Sequence, residues 1–165
     1  MEIGSFKIPG HATKRKWAVY IFKAVPHNSE EKIQLYVGKV GDNRAGCNPV
    51  ISRVGNHFSH NKIHSQIRNK IEIPEEYDYE YFYCHFDEYD EECPKRSETR
   101  QKVNELEREL NRQVQDRIVD RNKYLLLNEY KGTGYISLEE KKKREALLLP
   151  SEIEMLKQLV NETIE

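Results

Sequence analysis

The sequence predicts an α+β fold, in which a small, largely antiparallel sheet of three strands is flanked by helices and followed by a helical C-terminal extension. Three runs of aromatic and β-branched residues predict the strands, at 17–22, 33–37 and 77–86. Apolar residues that recur at helical spacing predict the helices. With 165 residues, the chain is long enough to form one domain around one hydrophobic core.

The first two strands are expected to form a hairpin, because the polar residues 26–29 between them are typical of a turn. The third strand has the clearest alternation in the chain, with tyrosine at every second position from 77 to 83. The leucines at 125–127 are expected to form a short closing element. The second face of the third strand carries Phe82, Cys84 and Phe86.

A helix is predicted to begin at Pro49, because Asn48 is a good capping residue and proline needs no N–H at the first helical position. Arg53 and His57 are four residues apart and are expected at the edge of this helix, where both side chains can line a cleft. Its buried row is formed by residues at spacing four: Val50, Val54 and Phe58.

Two further helical regions follow the same period. A short helix is expected to begin at Asn61, with isoleucine at every fourth position. Residues 137–165 are expected to form two helices broken at Pro150, the second opened by a capping box of Ser151 and Glu154. The apolar face of this last helix would pack on the core or on a second subunit, and it consists of Ile153, Leu156, Leu159 and Val160.

The longest predicted helix covers residues 98–120 and carries one acidic side chain of special interest. At 100° per residue, Glu107 falls inside the arc of the apolar stripe, whereas Glu105 and Glu109 fall on the solvent side. An inward carboxylate needs a basic side chain, hydrogen-bond donors or a metal ion as its partner. The stripe itself consists of Val103, Leu106, Leu110, Val114 and Ile118.

Charge is segregated along the chain, although the formal net charge is only −1. Residues 39–70 contain six Lys or Arg and one acid, residues 72–92 contain ten acids and no Lys or Arg, and residues 95–123 contain nine bases and six acids. Such runs are commonly solvated faces. Here the basic segments flank the candidate residues, which also fits a partner that carries phosphates.

Three widely spaced cysteines, Cys47, Cys84 and Cys93, fit reduced structural thiols, and the absence of a CxxC pair argues against a zinc site. The chain has no secretory signal and no apolar run of about 20 residues, so we expect a soluble, cytoplasmic protein. The expected organisation is an arm at 1–16, a core domain at 17–130 and a C-terminal extension at 131–165.

The candidate residues also form an ordered set of motifs: Ala18-Val19-Tyr20, Tyr36-Val37-Gly38, Lys39, Arg53, His57 and Glu107. This set resembles the GIY-YIG endonuclease superfamily, with alanine in place of the first glycine. Fifteen residues separate Gly38 from Arg53, and this long spacing is similar to that of the restriction-endonuclease branch. The asparagine of the family corresponds to Asn122 or Asn128.

The resemblance implies metal-dependent hydrolysis of DNA phosphodiester bonds, in a restriction or defence setting. Tyr36 would accept the proton of the attacking water, with its pKa lowered by Lys39 or by a phosphate, because an unperturbed phenol is too weakly ionised at neutral pH. Tyr20 would position the phosphate.

The other implied roles are electrostatic. Arg53 would stabilise the transition state through its planar fork of donors. His57 would orient the nucleophile or a tyrosine. Glu107 would hold a single Mg²⁺ or Mn²⁺ ion.

DNA is the implied partner, with no membrane and no organic cofactor, and a homodimer or two encounters would be needed to cut both strands. A non-catalytic nucleic-acid-binding module of the same fold is the alternative. RNA in place of DNA also remains open. The candidate nucleic-acid contacts are Lys14, Arg15, Lys16, Arg44, Lys62, Arg68 and Asn122.

Overall fold

The structure is a computed structural model that describes residues 3–41, 47–61, 63–89, 96–131 and 137–164. The described residues form an α+β fold in which helices flank one sheet. No helix in these ranges is both long and apolar enough to cross a membrane. In chain order the elements are β1 Lys16–Pro26, β2 Ile33–Val40, α1 Val50–Phe58, β3 Tyr77–Glu88, α2 Arg96–Arg117, β4 Tyr124–Leu126, α3 Leu138–Glu145 and α4 Pro150–Thr163.

The sheet has four strands in the order β3-β1-β2-β4, one strand more than the sequence predicted. β1 pairs antiparallel with both β2 and β3, as expected, but β4 pairs parallel with β2. The closing element predicted at 125–127 therefore overlaps a true edge strand. Its three residues are too few to show a period, and its pairing partner at 33–35 lies far away in the sequence.

Both faces of the sheet are covered, which explains why six consecutive residues of β1 are buried. One face packs against the apolar stripe of α2 and against α4, whose Leu156, Leu159 and Val160 are buried in the same cluster. The other face carries the tyrosine row of β3, together with Tyr20 and Phe22, beneath α1. The apolar face of α4 is thus buried within this chain.

The prediction of a short helix that begins at Asn61 is wrong, because the described part of this segment consists of turns. The hydroxyl of buried Ser65 donates to the backbone carbonyls of Ser59 and Asn61. Such side-chain bonds offer the backbone an alternative to the helical ladder. Ile67 and Ile71 are buried as the spacing suggested, but Ile63 is exposed.

Two predicted helix starts also need correction. α1 begins at Val50 with Pro49 as its capping residue and without a side-chain cap, so Asn48 does not cap it. α4 begins at Pro150, and the N–H of Leu149 donates to the carboxylate of Glu152 at 2.9 Å. The reciprocal contact therefore lies two residues earlier than the predicted Ser151 and Glu154 box, because Pro150 already occupies the first helical position.

Candidate active site

The outer edge of β2 is only partly covered, and this opening creates the candidate site. β4 pairs with β2 from Ile33 to Leu35, and no strand among the described residues continues this pairing beyond Leu35. Odd-numbered β2 residues face α2, whereas Tyr36 packs on the α1 side. Side chains from both faces of the sheet can therefore meet around this edge.

A cavity of about 230 Å³ lies at this open edge. Five of the six predicted catalytic residues line it, although they come from four different elements. Only His57 of the predicted set is missing from the wall. Among the described residues, the lining consists of Tyr20, Tyr36, Gly38, Lys39, Gly41, Arg53 and Glu107.

Position 38 requires glycine because the Tyr20 side chain of β1 lies directly against the backbone there. A β-carbon at position 38 would overlap the hydroxyl group and the ring of Tyr20, which faces Gly38 across the β1–β2 pairing. Gly41 has a φ of 116°, which disfavours any side chain there. Gly38 thus leaves room for the Tyr20 phenol at the wall of the cavity, whereas a β-carbon at position 41 would overlap the ring of Trp17.

His57 is completely buried, which corrects its predicted position at the helix edge. Its Nε2 lies 2.7 Å from the hydroxyl of Tyr20. Burial, helped by the charge of Arg53, lowers the pKa of His57 to about 3, so the imidazole is neutral while it shares a hydrogen bond with the hydroxyl of Tyr20. His57 therefore holds Tyr20 from behind. The helical repeat predicts which face of α1 carries His57. It does not predict that the aromatic side chains of the sheet bury this residue.

The pKa of Tyr36 is displaced in the direction opposite to the predicted one. Burial, followed by the negative charge of Glu107, raises it to about 12, and Arg53 only partly opposes this. Lys39 was predicted to lower this pKa, but it is not among the causes of the shift, and its ammonium lies 2.7 Å from the Glu107 carboxylate. Burial also raises the pKa of Tyr20. Both phenols are therefore protonated at neutral pH in this arrangement.

Glu107 points into the cavity, as its helical phase predicted, and its partner is the basic side chain of Lys39. Glu105 was predicted to face solvent, but it is only 6% exposed. Its carboxylate contacts Arg108 and lies 4.0 Å from Arg144 of α3. The helical phase of α2 could not reveal this, because the covering residue comes from the C-terminal extension.

The donor set of the cavity suits one hard cation. Within the described ranges, Glu107 is the only carboxylate on the cavity wall, and no group of three His, Cys, Asp or Glu residues capable of holding a metal occurs. Mg²⁺ and Mn²⁺ accept a single carboxylate when water and phosphate oxygens complete their shell. Glu107 therefore fits the predicted ion without further protein ligands.

A bridge of asparagine side chains fixes the open edge of β2. The N–H of Val37 donates to Asn128 Oδ1 at 3.0 Å, and Asn128 Nδ2 donates to the carbonyl of Val37 at 2.7 Å. Asn111 of α2, one helical turn after Glu107, donates to the backbone carbonyl of Asn128 at 3.0 Å. Asn128 thus extends the pairing of β4 with a side chain, and it connects β2 to α2.

Asn111 is buried and was not singled out from the sequence, where only its inward phase, four residues after Glu107, could have indicated it. Of the two asparagines that could correspond to the family residue, Asn128 lies beside the cavity-lining strand residues. Asn122 lies exposed in the turn before β4. That turn is at the Ile33 end of β2, whereas the cavity is at the opposite end.

The predicted nucleic-acid contacts that the structure describes do not line the cavity, and three of them make local contacts. Arg15 Nε donates to the carbonyl of Cys47 at 3.0 Å, and Lys16 lies 2.5 Å from Glu88. Arg68 Nε donates to the carbonyl of Phe58 at 3.0 Å. Lys14 is exposed. Arg44 and Lys62 lie outside the described residues.

The two described cysteines, Cys47 and Cys84, are buried free thiols, as predicted. Cys93 lies outside the described residues. Comparisons with known proteins return no match among family models, curated proteins or solved structures. The feature of this chain that points to a function is a polar cavity that combines two phenols, a guanidinium, an ammonium and a carboxylate.

Proposed function

We propose that the protein is a metal-dependent endonuclease of the GIY-YIG type that hydrolyses DNA phosphodiester bonds, in a restriction or defence role. The observation that carries this proposal is the composition of the cavity. Residues distant in the sequence, from β1, β2, α1 and α2, converge on one polar space at an open sheet edge. A purely structural role for these side chains gives no reason for such convergence.

Each cavity residue has a task in phosphodiester hydrolysis. Arg53 presents a planar guanidinium that can bind two phosphate oxygens and stabilise charge in the transition state. Tyr20, fixed by neutral His57, lies at the wall of the same space and would position the phosphate. A divalent ion held by Glu107 would stabilise the departing 3′ oxygen.

Tyr36 is the proposed proton acceptor. Because its pKa is raised, the site must lower this pKa before the phenol can act as a base. Glu107 is the second largest cause of that rise, after burial. Neutralising the Glu107 carboxylate would therefore lower the pKa of Tyr36, and Arg53 already acts in the same direction. The phenol is expected to become a useful base only in the loaded site.

The test is cleavage of plasmid DNA in the presence and absence of Mg²⁺. Glu107→Gln should abolish nicking and cutting while retention of DNA in a gel shift persists. Glu109→Gln is the matched control, because Glu109 lies on the same helix, pairs with Arg112 at 2.8 Å and does not line the cavity. Full cleavage by Glu107→Gln, or cleavage that survives EDTA, would refute the assignment. Single-stranded DNA and structured RNA in parallel reactions determine the substrate.

A nucleic-acid-binding module without catalysis is the second candidate, and one observation favours it. The carboxylate is paired with Lys39 and both phenols have raised pKa values, which is compatible with a surface that binds phosphate without cutting. DNA retention without any product, in both Mg²⁺ and Mn²⁺, would select this alternative.

A further inference from the structure

The ion pair between Lys39 and Glu107 crosses from β2 to α2 at the cavity wall. Nζ of Lys39 lies 2.7 Å from Oε2 of Glu107, and the two side chains are only 23% and 27% exposed. Because both groups are largely withdrawn from water, their attraction is screened less than that of a surface pair. The pair is therefore a defined part of the site.

Other Lys–Glu pairs of the described chain differ from this one in their surroundings. Lys23 pairs with Glu80 at 3.2 Å across the β1–β3 ladder, where the carboxylate is mostly exposed. Lys102 and Glu152 are as buried as the cavity pair, but they connect α2 to α4 and do not line the cavity. Lys39–Glu107 is thus the pair whose acid a cavity ligand can reach.

One carboxylate cannot hold an ammonium and a divalent ion in the same place. Two cations within about 4 Å of each other repel, and the loss is greatest where water is scarce. A divalent ion that binds Oε2 of Glu107 must therefore displace the Lys39 ammonium, and an ion that binds Oε1 is weakened by repulsion from it. The flexible stem of the lysine allows this movement, and the freed charge remains beside Arg53, where a phosphate would sit.

We propose that Lys39 is the resident counter-cation of Glu107, and that it sets the affinity of the site for divalent metal by competing with the ion for the carboxylate. The inference rests on the proposed function, since it takes Glu107 as the metal ligand. Lys39 then has two positions: on Glu107 in the empty site, and toward the substrate phosphate in the loaded one. As a result, the divalent ion binds more weakly before the substrate phosphate has entered the site.

The experiment is a titration of the full chain with Mn²⁺ without DNA, in which the free ion is followed by its electron paramagnetic resonance signal. Lys39→Met should bind Mn²⁺ about fivefold more tightly than the unmodified protein, a change in the range expected for a partly buried ion pair. Lys39→Arg retains a cation and should leave the Kd within about twofold. Lys23→Met is the matched control and should not change the Kd.

The outcomes separate this inference from the proposed function. Equal Kd values for Lys39→Met and the unmodified protein, with binding lost in Glu107→Gln, would overturn the role of Lys39 and leave the nuclease proposal intact. Undiminished binding by Glu107→Gln would overturn both, because the ion would then lie elsewhere. Tighter binding in Lys39→Met alone, abolished by adding Glu107→Gln, supports the competition.

Discussion

The hydroxyl of Tyr20 lies 2.7 Å from Nε2 of His57, and neither side chain is exposed to solvent. The imidazole also packs edge-on against Phe22 and Tyr36, at centroid distances of 4.9 and 5.2 Å. One buried, neutral histidine therefore supports both tyrosines that line the cavity. This relationship makes the position of Tyr20 depend on a residue that does not itself reach the cavity.

Removing this support should destabilise the protein. His57→Ala deletes a buried ring and removes the hydrogen bond between that ring and the Tyr20 hydroxyl, so we expect the free energy of unfolding to fall by about 2–4 kcal/mol. Urea denaturation followed by circular dichroism measures this loss. His60→Ala, at an exposed position just beyond the same helix, should change stability by less than about 0.5 kcal/mol. Equal effects of the two variants would show that His57 is not a supporting residue.

The pH dependence of stability should carry the signature of His57. Its pKa is about 3 in the folded state and near 6.5 in the unfolded chain, so the unfolded state binds more protons between these values. The contribution of neutral His57 to the free energy of unfolding is therefore complete above pH 6.5. As the pH falls below 6.5, the free energy of unfolding decreases by up to about 1.4 kcal/mol per pH unit.

This dependence can be isolated by unfolding the protein in urea between pH 7 and pH 5. His57→Gln has no titrating group at this position and should lose less stability over the same range. The difference between the two slopes reports His57 alone, because His85, whose pKa is also lowered by burial, is present in both proteins. Parallel slopes would contradict this prediction, because they would mean that His57 binds protons equally well in the folded and unfolded states.

Tyr36→Phe should separate proton transfer from binding in the proposed reaction. Loss of a general base typically lowers the rate by a factor of about 10² to 10⁴, whereas DNA retention should be unchanged. Tyr83→Phe is the control, because its hydroxyl makes no hydrogen bond with the residues that the structure describes, and Tyr83 does not line the cavity. Full activity of Tyr36→Phe would remove the base role and leave the metal and arginine roles untouched.

The parts of the site that the sequence predicted depend on local geometry. The phase of Glu107 follows from the helical repeat, and the alternation of β3 follows from the strand repeat, so both were confirmed. The positions of Tyr20 and Tyr36 follow from their strands, which the aromatic and β-branched composition of the sequence predicts. Such features require no knowledge of what packs against them.

The parts that were wrong depend on distant partners. Glu105 is buried because Arg144 of α3 lies over it, and β4 exists because β2 accepts it in parallel register. The raised pKa of Tyr36 results from burial and from Glu107, neither of which a reading of neighbouring residues can supply. Tertiary contacts of this kind override local pattern.

Asn111 should prove to be the residue that holds β2 and α2 in register at the cavity. It donates to Asn128, accepts from the N–H of Tyr130 at 3.0 Å, and so supports the side chain that holds both backbone groups of Val37. Asn111→Ala leaves the part-buried backbone groups of Asn128 and Tyr130 without this partner, and we expect a loss of about 1–3 kcal/mol in the free energy of unfolding.

Hydrogen exchange can distinguish this specific role of Asn111 from a general loss of stability. In Asn111→Ala, the amide of Val37 should lose more protection than the amide of Ile21 in the central strand, because only Val37 depends on the Asn128 side chain. Asn122→Ala, in the exposed turn before β4, should leave both amides unchanged. If Val37 and Ile21 instead lost protection equally, Asn111 would be an ordinary buried polar residue, and the spacing between Lys39 and Glu107 would have to be fixed by other contacts.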